Sequence, residues 1–380
     1  MASSSSSTVE LEHQKTRMAI TAESQAIDRI SNLPEPLLGH ILSFLTTKEA
    51  AATSTLSTKW RPLWTSVPFI DLYEKKSHFK PNPRPRCLFF SRKPNPHTKF
   101  STIVNRVFDQ RTTQLLLLSL QQGSCNSNHV KAWISFAIAG NVEEIELFFS
   151  MDDNIALPIT LFTCKTLVVL KLHGCISIIN VPSSVHLPLL KIADIMMGAC
   201  FACVSHITTF LSGCPLLEEF SVNLRNLMPS GSVKISNPLL KKLCIKGRFC
   251  ICDVTKLEID TPFLLFLYID ANSILDYSVE NVGNLVEARL GVSVENGPVD
   301  PVLNIFIGIR EIRFMSLSYD EIWDFDKSCN LDLPEFCYLV RLELSHYYCY
   351  KSESLVKLLQ KCPKLEVLII HKVCSINSKV

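Results

Sequence analysis

FLSGCPLLEEFSV, residues 210–222, and LLQKCPKLEVLII, residues 358–370, share a Cys-Pro-x-Leu-Glu core and the same pattern of large apolar residues. Their shared spacing, apolar-x-x-apolar-x-apolar, decides the fold. First positions of this six-residue motif fall at Leu115, Val142, Leu167, Leu190, Leu217, Leu240, Leu264, Leu285, Ile309, Leu339 and Leu365. The intervals run from roughly 21 to 30 residues, the period of a stacked repeat array. Each motif reads as one short strand whose last two apolar residues turn inward. A single strand of this kind cannot bury its apolar face, so neighbouring repeats must supply the cover. The expected class is α/β, a solenoid with a parallel sheet, over residues 113–380. Its intervening segments return as helix or irregular turn.

Working outward from the repeats, strand alternation proposes an open face of the sheet. That face carries Glu144, Glu146, Lys171, Asp194, Glu219, Lys242, Phe266, Tyr268, Glu287, Arg289, Glu311, Arg313, Arg341 and Glu343. Within it, Phe266, Tyr268, Glu287, Arg289, Glu311, Arg313, Arg341 and Glu343 are the candidate residues for binding a target. Phe266 and Tyr268 are the best anchors, because exposed aromatics give the largest contact energy per side chain. The bland alternative is a merely solvated charged row with its aromatics under a loop. A slip of one residue would reverse every assignment. The Asn or Cys three residues past each strand is clear only at Cys175 and Asn272, so the turns are irregular.

Upstream, apolar residues at Ile30, Leu33, Leu37, Leu38, Ile41, Leu42 and Leu45 have the spacing of an amphipathic helix, with Pro34 and Pro36 in its first turn. Thr46 and Glu49 have capping-box spacing and open a second, Ala-rich helix to about Ser54. Pro62 limits a third that carries Trp60, Leu63 and Trp64. About forty residues cannot enclose so much apolar surface, so the unit needs either a partner or the rest of the chain.

The stretch DRISNLPEPLLGHILSFLTTKEAAATSTLSTKWRPLWTSVPFIDL, from Asp28 to Leu72, resembles the F-box of the plant F-box/leucine-rich-repeat family, including the subgroup associated with an FBD domain. That domain is not found after Ile370. The resemblance implies docking on a Skp-type adaptor, and through it on cullin, by Leu33, Pro34, Leu37, Leu38, Ile41, Leu42, Leu45, Trp60 and Trp64. The alternative for Leu38 and Trp64 is the module's own core. It also implies that the repeats capture an unknown protein target for ubiquitination. The competing readings are a repeat scaffold outside a ligase, or a small-molecule receptor with a pocket near Phe266 and Tyr268.

This organisation assigns residues 1–25 to a disordered, Ser-rich leader and 26–68 to the F-box. Residues 69–112 become a basic, Pro-rich linker with a capping helix at Phe100–Gln110. Lys75, Lys76, Arg84, Arg86, Arg92 and Lys93 in that linker have the composition of an import or phosphate-binding patch. Composition excludes several classes. The net charge of +2, from 38 basic and 36 acidic residues, gives no pull toward nucleic acid or an anionic membrane. No apolar run reaches the ~20 residues of a membrane helix. The 15 cysteines lack the dense spacing of a secreted scaffold, which points to free thiols inside the cell, in nucleus or cytoplasm. Phosphate loops, nucleophile elbows and zincin helices are absent from the sequence, so no enzyme activity and no cofactor are expected. Cys200, Cys203, His206 and Cys214 have spacing that would suit zinc, but packed thiols are the simpler reading. So it is with Cys250 and Cys252.

Overall fold

The computed structural model describes residues 28–73, 100–111, 114–121, 126–149, 155–174, 176–178, 180–196, 200–224, 231–247, 254–271, 276–291, 300–319, 333–346 and 352–372. The leader, the basic patch, Cys175, Asn272, Cys250 and Cys252 lie outside them. The chain divides between Val67 and Pro68 into two compact units.

In the first unit, α1 spans Glu35–Leu42, shorter than the periodicity predicts. Pro34 and Pro36 remove backbone donors at its start, and Ile30–Leu33 closes instead as a turn in which Leu33 N donates to the Ile30 carbonyl at 3.0 Å. Helix α2, Thr47–Ala52, begins with the expected capping box: Thr46 Oγ1 accepts from Glu49 N, and Glu49 Oε2 accepts from Thr46 N. Below Pro62 only a 3-10 turn forms, Leu63–Ser66. Leu38, Leu42, Ala50, Trp60, Leu63 and Trp64 make the core. The indole of Trp60 is anchored where Nε1 donates to Ser31 Oγ at 2.7 Å.

Among the described residues, the second unit is built on one parallel sheet of twelve strands, in the order β1 (Phe69–Tyr73), β2 (Leu117–Gln121), β3 (Glu144–Phe148), β5 (Val169–His173), β7 (Ile192–Met196), β9 (Glu219–Asn223), β11 (Lys242–Gly247), β13 (Phe266–Ala271), β15 (Glu287–Leu290), β16 (Phe314–Tyr319), β17 (Arg341–His346) and β18 (Val367–Lys372). From β2 to β17 the fourth and sixth motif residues, such as Leu170 and Leu172 or Leu243 and Ile245, are buried. Apart from Ala193 and Ala288, each contributes about 1.5–3 kcal/mol by leaving water. One backbone device repeats along the array. From β2 onward, two successive amides at the entrance of each strand donate to the carbonyl of the residue just ahead of the neighbouring strand, as Val168 and Val169 do to Glu143 O at 2.7 and 3.0 Å. Among the described residues, no helix is long and apolar enough to cross a membrane.

Three expectations need correction. The linker does not start at residue 69, because Phe69–Tyr73 is the first strand of the sheet and pairs with β2. Val67-x-x-Ile70-x-Leu72 carries the repeat motif, hidden behind the apolar end of the first module. Secondly, several return segments are strands rather than helix or turn. They form two further parallel sheets: β4 (Ile155–Ala156), β6 (Ile176–Ile178) and β8 (Cys200–Phe201), then β10 (Gly231–Ser236), β12 (Val254–Asp260) and β14 (Tyr277–Glu280). Their alternation, Val233-Lys234-Ile235 beside Leu257-Glu258-Ile259, is a strand signal of period two. Thirdly, the ninth motif starts at Ile312, three residues after Ile309. Ile312, Met315 and Leu317 are the buried set. Two overlapping matches exist in the sequence, and pairing with β15 selects the second.

Among the described residues five returns carry a helix: α3 (Phe100–Asp109), α4 (Ser127–Ala139), α5 (Val204–Ser212), α6 (Asp300–Gly308) and α7 (Ser352–Gln360). Helix α3 buries Phe100, Val104, Val107 and Phe108 and meets α4 where Trp133 Nε1 donates to Asn105 Oδ1 at 2.7 Å.

Candidate functional site

Two surfaces stand out, one on each unit. On the first module, helix α1 divides its leucines by geometry. Leu38 and Leu42 face inward and are fully buried, as are Trp60 and Trp64 within a few per cent. Leu33 and Leu45 are half-buried, while Pro34, Leu37 and Ile41 face water. The periodicity passed over the most exposed apolar groups, Phe44 at 78% and Leu56 at 65%, and Ile30, which it did include, is exposed as well though not among the residues implied to dock. Phe44 lies just past the end of α1, and its ring meets that of His40 edge-on with centroids 5.0 Å apart. Isolated exposed leucines are ordinary, but five large apolar groups exposed on about forty described residues are more than a free-standing module leaves bare without a partner.

On the second unit, strand pairing defines three rows across the open face. Motif positions three and five form two of them, and one row continues past the motif through Phe148, His173, Met196, Asn223, Lys246 and Asp270. Of the proposed residues, Glu144, Glu146, Lys171, Asp194, Glu219, Lys242, Phe266, Tyr268, Glu287, Arg289, Arg341 and Glu343 occupy the first two rows. Glu311 and Arg313 do not. Arg313 sits at the strand entrance, where its amide donates to Val286 O at 3.1 Å, and Phe314 and Ser316 take the open-face places. Phe69 and Asp71 on β1 also belong to the face.

Its charges are mutually neutralised in part. Lys171 Nζ lies 2.6 Å from Glu146 Oε1. That hydrogen bond holds the ammonium above its ordinary range, with Glu144 and Asp194 adding to it. Asp71 feels the opposite pressure: burial, then the charge of Glu146, push its carboxyl up. His173 Nε2 meets Asp194 Oδ2 at 3.0 Å with Phe148 against the ring at 4.4 Å. Farther along, Arg289 is pinned twice, over the Phe266 ring at 5.5 Å and to Glu287 Oε1 at 2.5 Å. Tyr268 donates to Asp270 Oδ2 at 3.1 Å under Lys246. Phe266, Tyr268, Arg289 and Phe314 thus form an aromatic and cationic group over β13, β15 and β16. Such residues carry most of the energy of a protein interface when covered.

Of the residues with zinc spacing, Cys203, His206 and Cys214 are described in full. Cys214 is buried and its thiol is pushed up to about 12 by burial, while Cys203 shares a hydrogen bond with Ser205 at 3.1 Å. The side chain of Cys200 lies outside the described residues, and no group of three or more potential ligands exists among those described. A cavity of about 290 Å³ is lined by Val279, Gly283, Ile307 and Arg310 among others, and neither Phe266 nor Tyr268 borders it.

The family model of the F-box domain matches residues 30–72, and that of the leucine-rich repeats of FBD-associated F-box protein At5g56370 matches residues 130–280. Among similar proteins of Arabidopsis thaliana, F-box/LRR-repeat protein At3g58900 is 32% identical over 73% of this chain and 83% of its own length. F-box/LRR-repeat protein At4g14103 is 30% identical over 91% of this chain and 93% of its own, and F-box/FBD/LRR-repeat protein At1g51370 is 29% identical over 91% and 74%. With the matched module at its N-terminal end and the repeat sheet behind it, the chain belongs to the F-box/leucine-rich-repeat protein family.

Proposed function

We propose that the chain is the substrate-recognition adaptor of a Skp–cullin–F-box ubiquitin ligase. The first module docks on a Skp-type adaptor, and the open face of the repeat sheet holds a protein target. The observation that carries the reading is the division of the α1 leucines. Leu38 and Leu42 complete a core, which leaves Leu37, Ile41 and Phe44 with no role in that core and an apolar surface suited to a partner's helices. Holding the target beside a charged conjugating enzyme raises the local concentration of its lysines, so the chain contributes proximity and no bond-making of its own. The same reading gives it an intracellular location, in nucleus or cytoplasm.

The test is co-expression with a Skp-type adaptor and co-purification. Leu37→Glu with Ile41→Glu is expected to abolish recovery of the adaptor while the melting temperature of the chain stays within about 2 °C, because both side chains are exposed. Retention of the adaptor by that variant would refute the docking assignment. For the target face, Phe266→Ala, Tyr268→Ala and Phe314→Ala are expected to reduce target ubiquitination with the adaptor still bound, each by about 1–3 kcal/mol of binding.

A further inference from the structure

A second recurring signature stands just ahead of the motif. Pro188-Leu189-Leu190, Pro215-Leu216-Leu217, Pro238-Leu239-Leu240 and Pro262-Phe263-Leu264 each put a large side chain between the proline and the first motif residue. That side chain stays exposed, from 36% at Leu216 to 56% at Phe263. Before β15 the same place reads Gly283-Asn284-Leu285, and there the cavity of about 290 Å³ opens. Gly283 borders it without need of being glycine: its φ is not positive, and a Cβ would meet no atom within 4 Å. Gly308, also in the lining, is the contrary case, since a Cβ there would lie 2.5 Å from the Val279 side chain. Val279, Leu285, Ile309 and Ile312 are buried and make the lining largely apolar. Ile307 beside them is exposed, and so are Phe263, Leu265 and Val286 on the adjoining turn and strand entrances. Asn284 Nδ2 donates to Pro262 O at 2.7 Å, which ties the two turns together. Arg310 and Glu311 are the charged members of the lining, both exposed. Among the described residues, the guanidinium groups of Arg310 and of Arg313, three residues on, form no ion pair.

We propose that this cavity is a docking pocket for one large apolar side chain of a target polypeptide, with an aspartate or glutamate beside that side chain meeting Arg310. The proposal rests on the reading of the repeat unit as the part that holds a target, and it adds a second hold at the strand entrances, off the open face. The volume stands at the small end of ligand pockets, which run from about 300 to 1,000 Å³, and so suits a single anchoring side chain. The bare apolar groups around it then cover the residues on either side of the anchor, as the surround of an interface hot spot does. Charge selects the neighbour of the anchor. Two unpaired guanidinium groups face one carboxylate, so an acidic segment gains pairs, whereas a basic segment would set like charges against both arginines. Residues 272–275 and 292–299 attach at the exits of β13 and β15, the other end of the strands from this cavity.

The test is selection of a phage-displayed library of short random linear peptides on the full chain, followed by fluorescence anisotropy of the enriched peptides. It uses neither adaptor nor ubiquitin, so its failure is distinct from a failure of the co-purification that tests docking on the adaptor. Wild type is expected to enrich peptides in which a tryptophan, phenylalanine or leucine stands next to an aspartate or glutamate. Gly283→Phe fills the cavity from a position with free space around it, so the melting temperature is expected to stay within about 2 °C while those peptides bind at least about tenfold more weakly. Arg310→Glu, an exposed change, is expected to weaken them at least about fivefold and to favour peptides whose acid is replaced by lysine. Enrichment no greater on wild type than on Gly283→Phe overturns the proposal. So does a basic consensus, or an acidic one whose affinity both variants leave within about twofold.

Discussion

Gly174 shows how a single residue carries the solenoid around a corner. It follows β5 with φ of +94°, and a Cβ there would overlap the Phe149 carbonyl oxygen, to which no flexible side chain can yield. Gly174→Ala is expected to destabilise the repeat unit by at least about 2 kcal/mol, read as a lower midpoint in urea. Asp71 offers the reverse case. Its folded pKa lies above the ordinary 3.8 because burial and Glu146 disfavour the ion. A raised carboxyl leaves stability intact below the unfolded value and removes some as pH climbs through the folded one. Asp71→Asn is therefore expected to raise the melting temperature slightly, by about 1 °C at pH 7, with no gain below about pH 4. Equal effects at both pH values would show that the charge is not the cause.

At the scale of the element, the cap of α2 is a short-range instruction. Thr46 and Glu49 satisfy each other's amides, and in a helix of six residues this is a large share of what fixes its start. Thr46→Ala is expected to cost about 1 kcal/mol and to weaken adaptor binding only as far as the module loosens. Measuring both quantities on one preparation separates a cap from a contact. Strand β16 shows where element-level reading fails. Ile309-x-x-Ile312-x-Phe314 and Ile312-x-x-Met315-x-Leu317 satisfy the motif equally well, and only the hydrogen bonds with β15 and β17 decide between them. The slip moved Glu311 and Arg313 onto the face in error and hid Phe314.

Across the whole repeat unit, each strand touches only its neighbours, so local stability follows position along the array. Amide exchange in dilute solution is expected to be slowest in β5 to β13 and fastest at β18, whose core residues are half-bare. Uniform protection to the last strand would contradict nearest-neighbour stabilisation. The sequence by itself determined the existence of the two modules, the capping box, the parallel repeat and most of the open face, because these rest on spacing within a few residues. Tertiary structure alone decided which leucines of α1 are core and which are surface, which of two overlapping motifs becomes β16, and that β1 belongs to the sheet. The physical reason is common to all three. Each depends on what lies across a strand or beneath a helix, and periodicity along one chain states only that an apolar face exists, not what is set against it.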